Sequence, residues 1–350
     1  MSKFLSDKFS QLSPYVPGEQ PKDMQYIKLN TNESPFPPSQ AVVDAVAKEA
    51  EKLQLYSDPD LTELLKTLAE VYGVSTKNVI ATNGSDEVLN FAFMAYTDKT
   101  HPAVFPDITY GFYSVFAKLH GSPYTEIPLK EDFSIDYKDY LNLNKTIFIA
   151  NPNAPTGLTL SLDEIREILK SNPDNVVVID EAYVDFGGES AVGLINEFQN
   201  LLVTGTFSKS RSLAGARLGF GFASEKIIED LNTIRFSTNP YNVNRMTLAA
   251  GVASLKDDSY NKKNAEKIIA TRARVKAELE ASGFYCLDSR ANFLFAKKDG
   301  CEGKKLYLGL KEKGVLVRHF DKERIGDFLR ITIGTDSEMD IFLEKLKELL

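Results

Sequence analysis

Lys209 stands between Ser208 and Ser210, just beyond the apolar run Leu201-Leu202-Val203, and Arg217 follows eight positions later among small residues. A lysine flanked by hydroxyls, with a guanidinium close enough to fold back, suits a phosphate and can hold an amine beside an electrophilic carbon. The same stretch also reads as a solvated basic loop, so other residues must decide. Asp180, Glu181, Ala182 and Tyr183 follow the run Val176-Val177-Val178-Ile179. A carboxylate that closes four buried apolar residues is costly unless a cation or a strong donor meets it; otherwise it is a helix cap or a structural carboxylate. Gly84-Ser85-Asp86 follow Ile80-Ala81 and open a helix. Free backbone N–H groups and a hydroxyl there form an anion site, or Ser85 or Asp86 is simply an N-cap.

Together these parts fit pyridoxal 5'-phosphate, which needs a lysine for covalent attachment, an acid against its pyridine nitrogen and a pocket for its phosphate. Asp180 would keep the ring nitrogen protonated, making the ring an electron sink. Tyr183 would hydrogen-bond the ring oxygen.

The elements that must hold these residues alternate. Short apolar runs at Val79-Ile80-Ala81, Ala103-Val104-Phe105, Thr146 to Ala150, Val176 to Ile179, Leu201 to Val203 and Leu218 to Phe222 are separated mostly by helical segments. Those helices are expected through Leu89 to Met94, over Tyr110 to His120, and over Leu162 to Lys170 behind a capping box of Ser161 and Glu164. Continuous apolar strands between helices predict an α/β fold whose mostly parallel sheet is buried on both faces. In such sheets ligands bind beyond the carboxyl ends of the strands, where the residues above fall.

Earlier in the chain, Pro14, Pro17, Pro21, Pro35, Pro37 and Pro38 make residues 1–38 an irregular arm around one strand-like piece, Tyr26 to Leu29. Ser39 is the expected N-cap of a helix over Ala41 to Leu53, and a second helix over Leu61 to Tyr72 stops at Gly73. After about residue 240 the order becomes a long charged helix over Tyr260 to Ala281, a strand at Ala291 to Ala296, a helix at Gly303 to Lys313, strands at Val315 to Arg318 and Phe328 to Ile333, and a terminal helix over Glu338 to Leu350. The domain expectation is therefore an arm at 1–38, a large domain at 39–245 and a smaller α+β domain at 246–350.

With 43% hydrophobic and 26% charged residues the chain is ordinary globular material. Its net charge of −8 argues against general affinity for nucleic acid or an anionic membrane. Cys286 and Cys301 match neither a disulfide framework nor a zinc spacing, and His101, His120 and His319 are too scattered to nominate a metal. No stretch approaches the ~18 apolar residues of a membrane span, so a cytoplasmic protein is expected.

The sequence resembles the fold type I pyridoxal-phosphate aminotransferases, and within them the branch that acts on L-histidinol phosphate. The likeness runs through Leu29 to Pro35, Tyr56-Ser57-Asp58-Pro59, Gly84 to Glu87, Thr109-Tyr110-Gly111, Asn153 to Gly157, Asp180 to Tyr183, Ser208-Lys209 through Arg217, Val315 to Arg318 and Leu329 to Gly334. Each fragment is weak alone; their order and spacing carry the signal. The resemblance implies that Lys209 binds the cofactor covalently and then shuttles a proton. It implies that Tyr110 stacks on the ring, and that Ser85, Asp86 through its backbone, Ser208 and Arg217 hold the phosphate. Tyr56 would reach the phosphate site of a second subunit, making the enzyme a homodimer. Arg330 would bind the carboxylate of glutamate or 2-oxoglutarate, and Arg318, Tyr15 and Asn32 would join it around histidinol phosphate under the arm as a lid.

One position departs from the family, which has asparagine immediately before Pro-Thr-Gly. Ala154 holds that place and Asn153 precedes it, and Asn153 is expected to turn in and donate to the cofactor's ring oxygen. A threonine-phosphate decarboxylase or an aromatic aminotransferase shares most of this framework and remains an alternative. A regulator built on such a body would need a DNA-binding module, for which residues 1–38 leave no room.

Overall fold

Alternate residues of each central apolar run go to opposite faces of one sheet, and both faces are covered. The computed structural model describes residues 2–6, 9, 12, 15 and 17–350. In chain order these form β1 (Ile27–Lys28), α1 (Gln40–Ala50), α2 (Thr62–Tyr72), β2 (Val79–Thr82), α3 (Ser85–Tyr96), β3 (Ala103–Pro106), α4 (Phe112–His120), β4 (Tyr124–Ile127), β5 (Thr146–Ala150), α5 (Leu162–Ser171), β6 (Val177–Asp180), β7 (Leu201–Thr206) and β8 (Gly219–Ala223). There follow α6 (Glu225–Thr238), α7 (Arg245–Lys256), α8 (Asp258–Ala281), β9 (Phe284–Cys286), β10 (Phe293–Lys298), α9 (Gly303–Glu312), β11 (Val315–Leu316), β12 (Arg318–His319), β13 (Leu329–Thr332) and α10 (Asp336–Lys347).

Strands β2 to β8 build a seven-stranded sheet in the order β2-β8-β7-β6-β5-β3-β4. Pairing is parallel from β4 through β7, while β8 runs antiparallel to both β7 and β2. Ile147, Ile149, Val177, Ile179, Leu201 and Val203 enter the core on one face. Phe148, Val178 and Leu202 enter the core on the other. Burial on both faces is why these runs read as continuous rather than alternating. The register sets Ala150 beside Asp180 and Asp180 beside Thr204, so β5, β6 and β7 end at one level.

The antiparallel sheet β12-β13-β10-β9 packs with α8, α9 and α10 around a separate core. The stretch expected as one strand over Val315 to Arg318 is divided: β11 pairs in parallel with β1, whereas β12 pairs with β13. Serving two partners forces the break at Val317. Through β1 the amino-terminal segment joins this part of the molecule; Thr332 N–H donates to the Leu29 carbonyl at 3.0 Å, and the Glu19 carboxylate accepts from Tyr307 and Lys311.

The capping box of Ser161 and Glu164 is formed, and Gly73 closes α2 at φ 68°. Ser39 has N-cap geometry, but its hydroxyl makes no cap bond. Strands β4 and β9 and helices α6 and α7 were not expected. The edge strand β4 leaves Thr125 and Glu126 exposed, and α7 packs on α1 while its Gly251 sits against Leu64 of α2 and Leu218, so neither carries a plain apolar pattern. Among the described residues no helix is long and apolar enough to cross a membrane.

Candidate active site

The level strand ends open onto a cavity of about 330 Å³. Asp180 at the end of β6 and Tyr183, Ser208, Lys209 and Arg217 in the loops after β6 and β7 line it, with Ser85 and Asp86 from the start of α3 and Tyr110 from just before α4.

Asp180 is 4% exposed. Its carboxylate accepts from Tyr113 Oη at 3.1 Å, Thr204 Oγ1 at 3.2 Å and the Ala182 N–H at 3.2 Å. Burial still pushes it up to about 6, against the lowering effect of the Tyr113 and Thr204 hydroxyls. A cation against Asp180 would reverse that penalty. Tyr113 and Thr204 escaped the sequence reading. Thr204 is a hydroxyl inside an apolar strand, and Tyr113 lies one helical turn beyond Tyr110; those were the available signals.

At the opposite end α3 begins at Ser85, where the first N–H groups of a helix have no intrahelical acceptor. Gly84 has φ 84°, and a Cβ there would lie 2.6 Å from Arg217 Nη2. A Cβ on Gly219 would run into the Ser85 backbone. Glycine at these two positions lets Arg217 and β8 close over the helix start. Asp86 contributes more than backbone: its carboxylate accepts from Tyr110 Oη at 2.7 Å and meets Arg217 at 3.4 Å. Ser208 is held by its N–H to Thr206 Oγ1 at 3.1 Å.

Between these ends, Lys209 Nζ lies 5.6 Å from the Tyr183 ring centroid and donates to the Thr31 carbonyl at 3.3 Å. Behind it, Ser210 donates to Asp185, and Arg211, to which the sequence assigned nothing, pairs with Asp258 at 2.9 Å. Arg211 thereby braces the lysine loop against α8.

Asn153 does not turn into the cavity. It is 1% exposed; its Nδ2 donates to the Ile108 carbonyl at 2.9 Å and to Thr156 Oγ1 at 3.2 Å, and its Oδ1 accepts from Thr109 at 2.7 Å. The amide is consumed in tying its turn to Ile108 and Thr109 beyond β3, and Ala154 is the residue that lines the cavity. The expectation for Asn153 is therefore corrected.

Arg330, Arg318, Tyr15 and Asn32 gather beyond Tyr183, outside that cavity. Arg330 lies between Phe293 and Phe320, 5.5 and 5.6 Å from their ring centroids, and donates to the Asn30 carbonyl at 2.9 Å. Its buried Nε has no hydrogen-bond partner. Burial, then Arg318, lowers its hold on the proton, while Tyr183 and Tyr15 oppose this. Tyr15 packs on Phe112 with centroids 4.4 Å apart, and Arg318 donates to the Pro17 carbonyl at 3.3 Å. Asn32 Nδ2 donates to Tyr183 Oη at 2.9 Å. Tyr56 lies away from all of these, 79% exposed and stacked on Tyr241 at 4.6 Å.

The geometry has counterparts. The family model for aminotransferase class I and II matches residues 24–346. A histidinol-phosphate aminotransferase of Brachyspira hyodysenteriae is 51% identical over 352 residues, covering 100% of this chain and 99% of that protein. One from Clostridium acetobutylicum is 49% identical, with 99% of each chain covered. The solved histidinol-phosphate aminotransferase of Sinorhizobium meliloti, in complex with pyridoxal-5'-phosphate, superposes with a TM-score of 0.86 at 25% identity, covering 93% of this chain and 91% of that one.

Proposed function

The chain belongs to the class I and II aminotransferases, and from that premise we infer that it transfers an amino group between L-histidinol phosphate and 2-oxoglutarate in histidine biosynthesis, using pyridoxal 5'-phosphate. The observation that carries this reading is the convergence of Lys209, Asp180 and the Arg217–Ser85 helix start on one cavity. The residues fit the cofactor: a buried carboxylate pushed up to about 6 lacks a cation, and a helix start closed over by Arg217 suits a phosphate.

Bound pyridoxal phosphate supplies an electrophilic carbon and an electron-withdrawing ring. The protein does the rest. Asp180 keeps a proton on the ring nitrogen, with Tyr113 and Thr204 orienting its carboxylate. Tyr110, restrained by Asp86, covers the ring, and Tyr183 donates to the ring oxygen. Ser85, the Asp86 N–H, Ser208 and Arg217 bind the phosphate. Lys209 would hold the cofactor covalently and, as a free amine, carry the proton between the substrate's α-carbon and the cofactor's C4′ carbon.

Arg330 binds the carboxylate of glutamate or 2-oxoglutarate, and with Arg318 and Tyr15 it binds the phosphate of histidinol phosphate; Asn32, buried against Tyr183 and Thr332, supports the substrate end from behind. A half-buried guanidinium whose buried Nε is unpartnered, beside a second arginine, supports an oxyanion site. The exposure of Tyr56 supports a homodimer in which it completes the partner's phosphate site. The same reading divides the chain into an arm at 1–38, a large cofactor domain at 39–245 and a small domain at 246–350, and assigns the enzyme to the cytoplasm. Steady-state rates with histidinol phosphate, phenylalanine and O-phosphothreonine test the substrate. Preference for histidinol phosphate is expected; preference for either of the others refutes it.

A further inference from the structure

We propose that Thr332 is a positioning residue which, through Asn32, fixes the direction in which the Tyr183 hydroxyl gives its proton. The proposal rests on the reading of Tyr183 as the donor to the cofactor's ring oxygen. It deepens that reading by naming what orients the donor in a chain whose Ala154 offers no amide there.

With the Asn32 amide oriented as in the structure, the hydrogen bonds run in one direction and each hydroxyl and amide proton in the chain has an acceptor or the cavity before it. Asn32 N–H donates to Thr332 Oγ1 at 3.0 Å, so the Thr332 hydroxyl proton is free to go elsewhere, and it goes to Asn32 Oδ1 at 2.9 Å. With Oδ1 engaged, the Asn32 amide presents Nδ2 to Tyr183 at 2.9 Å, whereas the reversed amide would leave the Thr332 hydroxyl proton without that acceptor. Tyr183 Oη therefore accepts from Asn32, and its own proton must point away, toward the cavity that Tyr183 lines.

The backbone of Asn32 is held as firmly as its side chain. Asn292 Nδ2 donates to the Asn32 carbonyl at 3.0 Å. Asn32 has φ 55°, a left-handed conformation that asparagine tolerates better than most residues. Asn32, Asn292 and Thr332 are 1%, 0% and 2% exposed, so water does not compete for these bonds. Neither Thr332 nor Asn292 lines the cavity; both act through Asn32.

Removing the Thr332 hydroxyl frees the amide to turn over. Oδ1 would then face Tyr183 and take its proton, leaving the ring oxygen without that donor. A donor at the ring oxygen favours loss of the proton from the nitrogen joining Lys209 to the cofactor, so its loss moves that titration to higher pH.

The test is a pH titration of the visible absorbance of the cofactor-loaded enzyme, with thermal melting to verify folding. Thr332→Val, nearly isosteric, should raise the midpoint by about one unit. Thr332→Ser, which keeps the hydroxyl, should titrate like the wild type. Asn32→Asp, whose carboxylate can only accept from Tyr183, should shift in the same direction as Thr332→Val and serves if the valine variant does not fold. Tyr183→Phe sets the full effect. Unshifted midpoints in Thr332→Val or Asn32→Asp, alongside a shifted Tyr183→Phe, overturn the proposal alone. A wild type with no absorbance after addition of cofactor, or an unshifted Tyr183→Phe, overturns the underlying reading of the site.

Discussion

Arg318 and Arg330 stand directly opposite one another across the antiparallel pair β12 and β13. Arg318 weakens the hold of Arg330 on its proton, and the buried Nε of Arg330 has no hydrogen-bond partner, so an anion held between the two guanidiniums would be favoured. Arg330→Ala is expected to lower kcat/KM for 2-oxoglutarate and for histidinol phosphate by about 100-fold, roughly 2.7 kcal/mol. Arg330→Lys should recover little, because an ammonium cannot make the forked contact. Arg318→Ala should affect the phosphate-bearing substrate more than the oxo acid. Steady-state kinetics with both substrates check this, and equal losses for Arg318→Ala would count against the division of labour.

Lys209→Ala should abolish the absorbance of covalently held cofactor and slow turnover by on the order of 10⁴-fold, as expected when a positioned proton carrier is removed. Binding of the cofactor should persist, because Asp180, Tyr110 and Arg217 remain. Spectra and equilibrium dialysis of the same preparation separate the two effects. Loss of all binding would mean that the lysine holds the pocket together.

For Asp180 the sign follows from burial. Its ordinary value of 3.8 rises to about 6 in the folded chain, so without cofactor its contribution to stability is greatest below about pH 4 and is lost as the pH rises through 6. A shift of that size corresponds to roughly 3 kcal/mol. Asp180→Asn should thus gain on the wild type in melting temperature between pH 4 and pH 6, and hold that gain above. The neighbouring Glu181, pushed up to about 8 chiefly by burial, is present in both proteins; the charge of Asp180 is a lesser cause of its rise, so it cancels in the difference only in part. Loading with cofactor should reverse the order, because only the carboxylate pairs with a protonated ring. Melting curves across this range decide it, and a difference that ignores pH would refute the assignment.

Mixing two inactive variants tests the exposed Tyr56. If Tyr56 serves the partner's site, a hybrid of Lys209→Ala and Tyr56→Ala chains contains one site damaged twice and one intact. Activity should return after the two are mixed and allowed to exchange subunits. If each tyrosine serves its own chain, both hybrid sites are damaged and activity stays low.

Much of the cofactor end was legible because each of its residues follows an apolar run, and the ends of a parallel sheet converge. Asp180, Ser85 and Lys209 meet for that reason. Tyr113 and Thr204 were not legible, since what matters about them is register with a neighbouring strand and the face of a helix. Asn153 was misread because an amide that faces a cavity and one that ties its turn to a distant loop, here Ile108 and Thr109, look alike in one dimension. The bond between Asn32 and Thr332 spans 300 residues, and no local pattern announces it. The break at Val317 was hidden for a related reason: one apolar stretch serves two sheets.

The parallel pairing of β1 with β11 and the bonds from Asn32 to Thr332 have a consequence for the order in which the enzyme is made. Asp180, Lys209 and Arg217 all precede residue 224, and every strand of the sheet that presents them lies within residues 79–223. Leu29, Asn30 and Asn32 are synthesised early, yet Asn292, Arg330 and Thr332, to which they bond, emerge from the ribosome only near the end of translation. The nascent chain can thus assemble its cofactor pocket while the pocket is still uncovered. Its first residues wait for its last to close the substrate end, so a truncated chain should capture cofactor before it can use a substrate.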